Sequence, residues 1–472
     1  MPTRIRPCAV RPSRRPRAAA VAGALALLVS FACAPPPEAG PGTEGGDPAA
    51  AGGITAASVR ERTEREWSVK AAKMRRHLLP LMRKHDVALW VIMSRENAPD
   101  PALELFGGHG ITGWYGHRNA YLFHDSGEAG LETTVIGTHL SGHLAPFFDT
   151  IRGYGEEGLK PHLQAYLDAR DPARIAINQS RTISMADGLT AELKAYLVDA
   201  LGPARAGRLV SSEPLVIDYV SAHTPEEDAI EEEAARATYD ILRRAMSNEV
   251  ITPGATTLMD VHYWITAERK RRNFEFNFPA SLDLQRFRGA EVVTMSDADD
   301  PVIERGDLLH VDFGVRQSGI VTDQQKMVYV LAEGESAPPA GLVRAFEDSR
   351  RAAEIHAAAV VRGRTGVEIK IASEEAAKAE GLDLLVYSHV QGYWVHDANT
   401  WTTFDWPERY GRHPRLPIQG GEWFSLEFRT LTPVPEWGNQ PVAMMREEDM
   451  KIPADGPLRY LAGPQTELWI VR

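Results

Sequence analysis

Two aspartates, Asp312 and Asp323, lie in neighbouring apolar runs that predict a pair of strands joined by a tight connection at residues 316–319. A hairpin centred between Gln317 and Ser318 places the two aspartates directly opposite each other, with Cβ atoms about 5 Å apart. Two carboxylates at that distance repel each other unless a multivalent cation lies between them or one of them keeps its proton. The alternative is a solvent-facing sheet edge where both acids are hydrated.

Further polar residues with metal-binding chemistry follow later in the chain. Glu427 lies among large apolar neighbours, which predict a buried strand that a lone carboxylate should avoid. Glu448 follows another apolar run, in which only alternate residues share a face. His389 and His396 stand seven positions apart in an aromatic region of strand and loop. Each of these residues alone is as compatible with a satisfied core or surface side chain as with a ligand.

Taken together, these residues offer carboxylate oxygens and one imidazole, a ligand set suited to Mn²⁺, Fe²⁺, Co²⁺ or Zn²⁺. Four carboxylates neutralise two divalent ions, and a two-metal centre can lower the pKa of a water molecule while it polarises a carbonyl. The candidates at this point are Asp312, Asp323 and Glu427, with one of the two histidines and an acid of the segment 447–449.

The residues resemble, in order and spacing, the five ligands of the pita-bread metallopeptidases, a family that includes methionine aminopeptidase, aminopeptidase P, prolidase and creatinase. By this resemblance the metal ligands are Asp312, Asp323, His389, Glu427 and Glu448. The segment Val311-Asp312-Phe313-Gly314 is similar to the family's Asp-x-Gly strand. The segment Arg446-Glu447-Glu448-Asp449 is similar to its Arg-x-Glu-Asp strand, and the pair of histidines repeats its seven-residue spacing. The resemblance covers residues 224–472, and a looser one links residues 59–222 to the amino-terminal domain of aminopeptidase P and creatinase.

The resemblance implies a role for each ligand. Asp312 and Glu448 would bridge two divalent ions, Asp323 would bind one of them, and His389 with Glu427 would bind the other. Glu427 would also carry a proton from water to the leaving amine. The implied ions are Mn²⁺, with Co²⁺, Zn²⁺ or Fe²⁺ as alternatives, and the implied substrate is a peptide. Relatives are often homodimers, so we expect a homodimer.

Other residues gain roles from the same resemblance. His396 would hydrogen-bond the substrate carbonyl, and Arg446 would orient a metal ligand. The histidine that aminopeptidase P and prolidase carry before the first aspartate is replaced by Met295, which puts strict Xaa-Pro specificity in doubt. His310 shares a strand face with Asp312 and is a candidate replacement, although a packed strand histidine is the alternative. Trp394 is a candidate for the wall of a substrate pocket.

The surrounding pattern predicts an α+β protein. Strand-like runs alternate with helical stretches in residues 59–223, which predicts an α/β domain. The sequence Thr224-Pro225-Glu226-Glu227 is typical of a capping box and opens the second domain, residues 224–472. That domain repeats an order of helix, turn, helix and strands at an offset of about 109 residues. By the resemblance it is a pita-bread catalytic domain preceded by a creatinase-like α/β domain.

The start of the chain is typical of an export signal. Arginines without any acid precede an apolar run in residues 1–33, which ends at Cys33, and residues 34–58 form a linker rich in proline and glycine. We therefore expect an exported protein, periplasmic or on the cell surface, with a lipid anchor at Cys33 or plain secretion as alternatives. The net charge of -12 over 472 residues makes nucleic acid an unsuitable partner.

Three functions remain open at this stage. The first is a metal-dependent exopeptidase of the aminopeptidase P type, which hydrolyses amino-terminal peptide bonds. The second is a creatinase-like C–N hydrolase or a lyase on the same scaffold. The third is a catalytically weak peptide-binding lipoprotein.

Overall fold

The structure is a computed structural model that describes residues 55–107, 117–137 and 144–472. The predicted signal at 1–33 and all but the last residues of the linker at 34–58 lie outside the described residues, so these predictions stay untested. The first described helix already begins at Ala56, three residues before the predicted domain start. Within the described ranges, no helix is both long enough and apolar enough to cross a membrane.

The amino-terminal part is built on a six-stranded sheet with the order β4-β3-β2-β1-β5-β6. The central strand β1 is buried along almost its whole length because helices cover both faces of the sheet, which explains its continuous apolar run. The strands are β1 Leu89–Arg95, β2 Arg118–Asp125, β3 Leu131–Ile136, β4 Thr150–Arg152, β5 Ile175–Ile177 and β6 Leu209–Ser211. The helices are α1 Ala56–Lys73, α2 Leu79–Lys84, α3 Leu159–Arg170, α4 Ala191–Ala206 and α5 Glu213–Ser221.

The helices of the carboxy-terminal part come in two pairs, as the predicted repeat requires. Thr224, Thr257 and Thr365 each accept a hydrogen bond from the backbone N–H three residues on, and an acidic side chain completes a capping box at each. The helices are α6 Pro225–Ala245, α7 Leu258–Arg271, α8 Ala340–Ala359, α9 Gly366–Ala379 and the short α10 Pro407–Tyr410. The domain boundary itself stays a prediction.

Apart from one short hairpin, the strands of the carboxy-terminal part form a ten-stranded sheet, whose main path runs β13-β15-β16-β12-β9-β7-β8. Strands of the first repeat half meet those of the second where β12 pairs with β16. Its strands are β7 Ser281–Phe287, β8 Val292–Ser296, β9 Leu308–Phe313, β12 Gln324–Val330, β13 Asp383–Val386, β14 His389–Gln391, β15 Trp423–Val434, β16 Gln440–Lys451, β17 Arg459–Tyr460 and β18 Trp469–Val471. The predicted α+β architecture is therefore confirmed.

The hairpin that carries the two aspartates has a different register from the predicted one. The short strands β10 Arg316–Gln317 and β11 Ile320–Val321 pair Gln317 with Ile320, so the turn is centred between Ser318 and Gly319. Both turn residues have positive φ, +53° and +78°, as a two-residue primed turn requires. Asp312 therefore lies opposite Gln325, and the prediction that it faces Asp323 directly was wrong.

Candidate metal centre

Four polar side chains form a row across four adjacent strands. Asp312 on β9 pairs with Gln325 on β12, Gln325 pairs with Glu447 on β16, and Glu447 pairs with Glu427 on β15. Residues that are directly opposed in neighbouring strands project from the same face of the sheet. The row crosses the junction between β12 and β16, so each repeat half contributes side chains to one site.

A second row lies two residues along the same face. Ser425 pairs with His389 on one side and with Asp449 on the other. Asp323 immediately precedes β12, and its backbone N–H donates to Asp449 Oδ1 over 2.9 Å. Because alternate residues of a strand share a face, Asp323 lies beside Gln325 and above the first row. The register change in the hairpin places Asp323 diagonally from Asp312, where the charge of Asp312 still helps to raise the pKa of Asp323.

The two rows bring the acids close to one imidazole. His389 Nε2 lies 3.7 Å from Asp323 Oδ2, 3.8 Å from Glu427 Oε2 and 3.8 Å from Glu447 Oε1. One ligand atom from each of Asp323, His389 and Glu447 lies within 4.8 Å of the others, and all three residues are buried. The structure thus brings together four of the five predicted ligands, Asp312, Asp323, His389 and Glu427.

The buried acids repel one another strongly. Burial, together with the charges of the other acids, raises the pKa of Asp323, Glu427 and Glu447 well above the usual range. Burial also raises the pKa of Asp312 to about 6, although the nearby His310 opposes this shift. The negative charges of these carboxylates repel one another, and a bound cation would neutralise them.

His389 is held in its neutral form, which is the form that binds a metal. Burial and the neighbouring His396 lower the pKa of His389 well below its usual value, so the ring is neutral. The ring's Nδ1 faces the carbonyl of Val390, which can only accept a hydrogen bond, so Nδ1 carries the proton. Nε2 therefore presents its lone pair to the acids.

Several buried atoms of the cluster have no hydrogen-bond partner. These atoms are Asp312 Oδ1, Asp323 Oδ1, His389 Nε2 and Glu447 Oε2. Leaving buried polar atoms without partners costs free energy, and buried charges are normally paired or coordinate metals. Oxygen donors with one imidazole suit divalent ions such as Mn²⁺, Fe²⁺, Co²⁺ or Zn²⁺. The residues present therefore fit a divalent metal site.

The predicted ligand Glu448 lies on the other face of the sheet, and Glu447 occupies the place assigned to it. Glu448 accepts hydrogen bonds from Lys326 Nζ over 2.7 Å and from the backbone N–H of Gln465 over 2.9 Å. Its other neighbour is Arg446, 3.4 Å away, so Arg446 does not orient a ligand of the cluster either. Both predictions were wrong because β16 pairs Glu447 with Glu427, and strand alternation then turns Arg446 and Glu448 away.

A cavity of about 450 Å³ opens beside the cluster. His396 lies at this cavity, with its ring centroid 4.2 Å from that of His389, and its role toward the substrate carbonyl stays a prediction. The full lining is Tyr387, His389, His396, Trp401, Thr403, Arg409, Tyr410 and Glu427.

Neither of the other two predicted pocket residues lines the cavity. The ring of His310 is buried between Asp283, at 2.8 Å, and Gln325, at 2.9 Å, so it has no free atom for a substrate. Trp394 packs against the core of the amino-terminal part. Met295, at the position where the resemblance implies a histidine, packs against the apolar core below β7 and β9.

Sequence reasoning missed Glu447, Gln325 and Asp449. Asp449 accepts hydrogen bonds from Gln324 and Gln391, both over 2.6 Å, and one from the backbone N–H of Asp323. It therefore fixes the position of Asp323 at the start of β12. The sequence does carry a signal for Glu447, because Gly438-Asn439 is typical of a turn after β15. Both residues have positive φ in the structure, and the turn sets the register of the hairpin. That hairpin pairs position 427 with position 447.

Comparison with known proteins agrees with this geometry. The family model described as metallopeptidase family M24 matches residues 230–452, the segment that contains all the clustered side chains. None of the curated protein sequences matches the chain.

Solved structures share the fold over most of the chain. The X-Pro aminopeptidase from Thermotoga maritima MSB8 superposes with a TM-score of 0.62 at 15% identity, covering 83% of this chain and 100% of its own. The Xaa-Pro dipeptidase from Bacillus anthracis gives 0.61 at 15% identity, covering 85% and 99%. The prolidase from Pyrococcus horikoshii OT3 gives 0.54 at 16% identity, covering 84% and 99%.

Proposed function

Because residues 230–452 belong to metallopeptidase family M24, we propose that this protein is a metal-dependent exopeptidase that removes residues from the amino end of peptides. The family match confirms the predictions of a pita-bread fold and of a hydrolase of the metallopeptidase type. The exopeptidase specificity and the use of two ions go further and form the proposal.

One observation carries the proposal. Asp312, Asp323, His389, Glu427 and Glu447 converge on one face of the sheet, and four of them have a buried side-chain atom without a hydrogen-bond partner. A purely structural cluster would satisfy its polar atoms with hydrogen bonds, as Glu448 does on the opposite face. We assign these five residues as the ligands, with Mn²⁺ as the first candidate ion and Co²⁺, Zn²⁺ or Fe²⁺ as alternatives.

The residues around the cluster can perform the steps of amide hydrolysis. Divalent ions held there would make water acidic near neutral pH and polarise the substrate carbonyl. Glu427 lines the cavity and has a raised pKa, so it can take a proton from the attacking water and pass it to the leaving amine. His396 lies on the same wall and can donate a hydrogen bond to the oxyanion, a contribution commonly worth about 3 kcal/mol.

The cavity supports a bulky or cyclic residue beside the scissile bond. Its walls include the rings of Tyr387, Trp401 and Tyr410, which favour apolar rings over charged side chains. The structural neighbours named for Xaa-Pro bonds add support for proline at this position. We therefore include cleavage of Xaa-Pro bonds in the proposal.

The test uses the protein without residues 1–33, loaded with Mn²⁺, and a peptide panel that includes Xaa-Pro and Xaa-Ala amino termini. We expect release of the first residue, faster for Xaa-Pro, and loss of this activity together with bound metal in Asp323→Asn. The control Glu347→Gln, an exposed carboxylate on α8, should keep both. Turnover of small non-peptide amides with a silent panel would favour the C–N hydrolase, whereas stoichiometric peptide binding without turnover would favour the binding protein.

We propose also that the enzyme acts outside the cytoplasm. The arginine-rich start and the apolar run before Cys33 support this location. Mass spectrometry of the amino-terminal peptide from the native host should detect a chain that begins at Cys33 with acyl groups. An amino terminus at Met1 in the mature protein would contradict export.

A further inference from the structure

A chain of hydrogen-bonded side chains leads from the first repeat half to Glu427. Asp283 Oδ2 lies 2.8 Å from His310 Nδ1, and His310 Nε2 lies 2.9 Å from Gln325 Oε1. Gln325 Nε2 then donates to Glu427 Oε1 over 2.5 Å. The four residues stand on β7, β9, β12 and β15, so the chain crosses the sheet at the level of the metal centre.

We propose that Gln325, held by His310, is a positioning residue that fixes the orientation of the Glu427 carboxylate for catalysis. The inference rests on the proposed function, in which Glu427 carries the proton. Neither Gln325 nor His310 lines the cavity, so they act through Glu427 and not on the substrate.

The direction of each hydrogen bond is set by the ends of the chain. A carboxylate only accepts, so the amide nitrogen of Gln325 faces Glu427 and its carbonyl oxygen faces His310. His310 then donates from Nε2 to Gln325 and from Nδ1 to Asp283, so its ring is an imidazolium paired with the Asp283 carboxylate. Each side chain is thus locked by its neighbour, and the amide of Gln325 has one orientation in which both contacts are made.

The consequence for Glu427 is a distinction between its two oxygens. Gln325 holds Oε1, whereas Oε2 faces His389 at 3.8 Å and so remains available to the metal centre. Without this amide, Oε1 of Glu427 would lose its hydrogen bond, and the side chain would be held by one contact fewer. Loss of a hydrogen-bond partner behind a ligand typically costs about 10–100-fold in activity or metal affinity.

The test removes the amide but keeps the size of the side chain. In Gln325→Met we expect kcat to fall about 10–100-fold, while KM changes by less than about twofold, because the substrate does not touch Gln325. The matched control is Gln285→Met, since Gln285 is buried to the same degree but bonds only the backbone of Ala443. Asp283→Ala should give a smaller loss than Gln325→Met, and Asp283→Asn, which keeps an acceptor for His310, should restore most of it.

A second readout does not depend on turnover. Titration with Co²⁺ alone should give the same number of bound ions in Gln325→Met, Gln285→Met and the wild type. The visible absorption spectrum of the bound Co²⁺ should change in Gln325→Met only, because a rotated Glu427 alters the ligand geometry. If Gln325→Met does not fold, His310→Phe interrupts the same chain one residue further from the centre.

The two readouts separate the outcomes. A reduced kcat with a changed spectrum supports the inference, whereas an unchanged kcat, or a reduced kcat with an unchanged spectrum, overturns it. If the wild type cleaves no peptide, the proposed function fails. The Co²⁺ spectrum of Gln325→Met then still decides whether Gln325 orients Glu427.

Discussion

The two neighbouring glutamates Glu447 and Glu448 should respond in opposite ways to the same substitution. Both are buried, and both change to glutamine with little change in volume. Glu447 lies among acids and an unprotonated imidazole, whereas Glu448 lies between Lys326 and Arg446. Glu447→Gln therefore removes repulsion, and Glu448→Gln removes attraction.

The magnitudes follow from the distances. The ligand oxygens of Glu447 and Asp323 lie within 4.8 Å of each other. At an effective dielectric constant of about 20, two unit charges at this distance interact by about 3 kcal/mol. This pairwise value sets the scale of the gain in Glu447→Gln: repulsion from Glu427 and Asp312 adds to it, and partial protonation of the acids, whose pKa is raised, reduces it. Removing one member of a buried ion pair costs about 3–5 kcal/mol, and we expect a loss near the lower end for Glu448→Gln because the amide keeps some hydrogen bonds.

Metal binding should show the reverse order. Glu447→Gln should weaken Mn²⁺ binding by about 100-fold or more, which corresponds to about 2.7 kcal/mol. Glu448→Gln should bind Mn²⁺ with nearly the wild-type affinity as long as it is folded. The assay is urea denaturation of the metal-free protein in a chelator, followed by calorimetric titration with Mn²⁺ under folding conditions.

The refuting result is equally clear. If Glu448→Gln lost the metal while Glu447→Gln kept it, the register of β15 and β16 would be shifted by one residue. Glu448 would then be the ligand, as the family resemblance implies, and the strand pairing that places Glu447 between Gln325 and Glu427 would be wrong.

Three further predictions test other parts of the structure. Removing the metal should lower the free energy of unfolding, by about 2.7 kcal/mol relative to protein at a free Mn²⁺ concentration of 100 times Kd, as thermal melts with and without chelator can measure. Burial raises the pKa of Asp100 to about 7, so the folded state binds its proton more tightly than the unfolded state, and stability should fall as pH rises from about 4 to 7. Asp100→Asn should flatten this part of the pH profile in urea denaturation, and a profile as steep as that of the wild type would contradict the assignment. Thr224→Ala, which removes the cap of α6, should cost about 1 kcal/mol, whereas Thr63→Ala on the exposed side of α1 should cost less.

The sequence predicted the elements well where local chemistry decides them. The capping box at Thr224 and the apolar run of β1 have one favourable local solution, and the structure has a helix from Pro225 and a strand from Leu89. The residues of the cluster were also visible, because acids and a histidine inside apolar runs are costly without a partner. Asp312, Asp323, His389 and Glu427 were found in this way.

The choice between Glu447 and Glu448 depended on tertiary structure. Strand alternation divides residues into two faces but does not say which face is which. That was decided by the pairing of β16 with β15 and β12, between segments more than 100 residues apart in the case of Gln325 and Glu447. A shift of one residue exchanges the faces, so one-dimensional spacing could not settle it.

Composition and local pattern alone thus determined the fold class, the capped helices and most of the acidic residues of the metal centre. Only the folded sheet decided which glutamate completes the centre, that His310 bonds Asp283 and Gln325 and not a substrate, and that Gln325 holds Glu427. The physical reason is that helix caps and apolar runs act between residues close in sequence. The electrostatics of the centre act across paired strands, whose register depends on the packing of the whole domain.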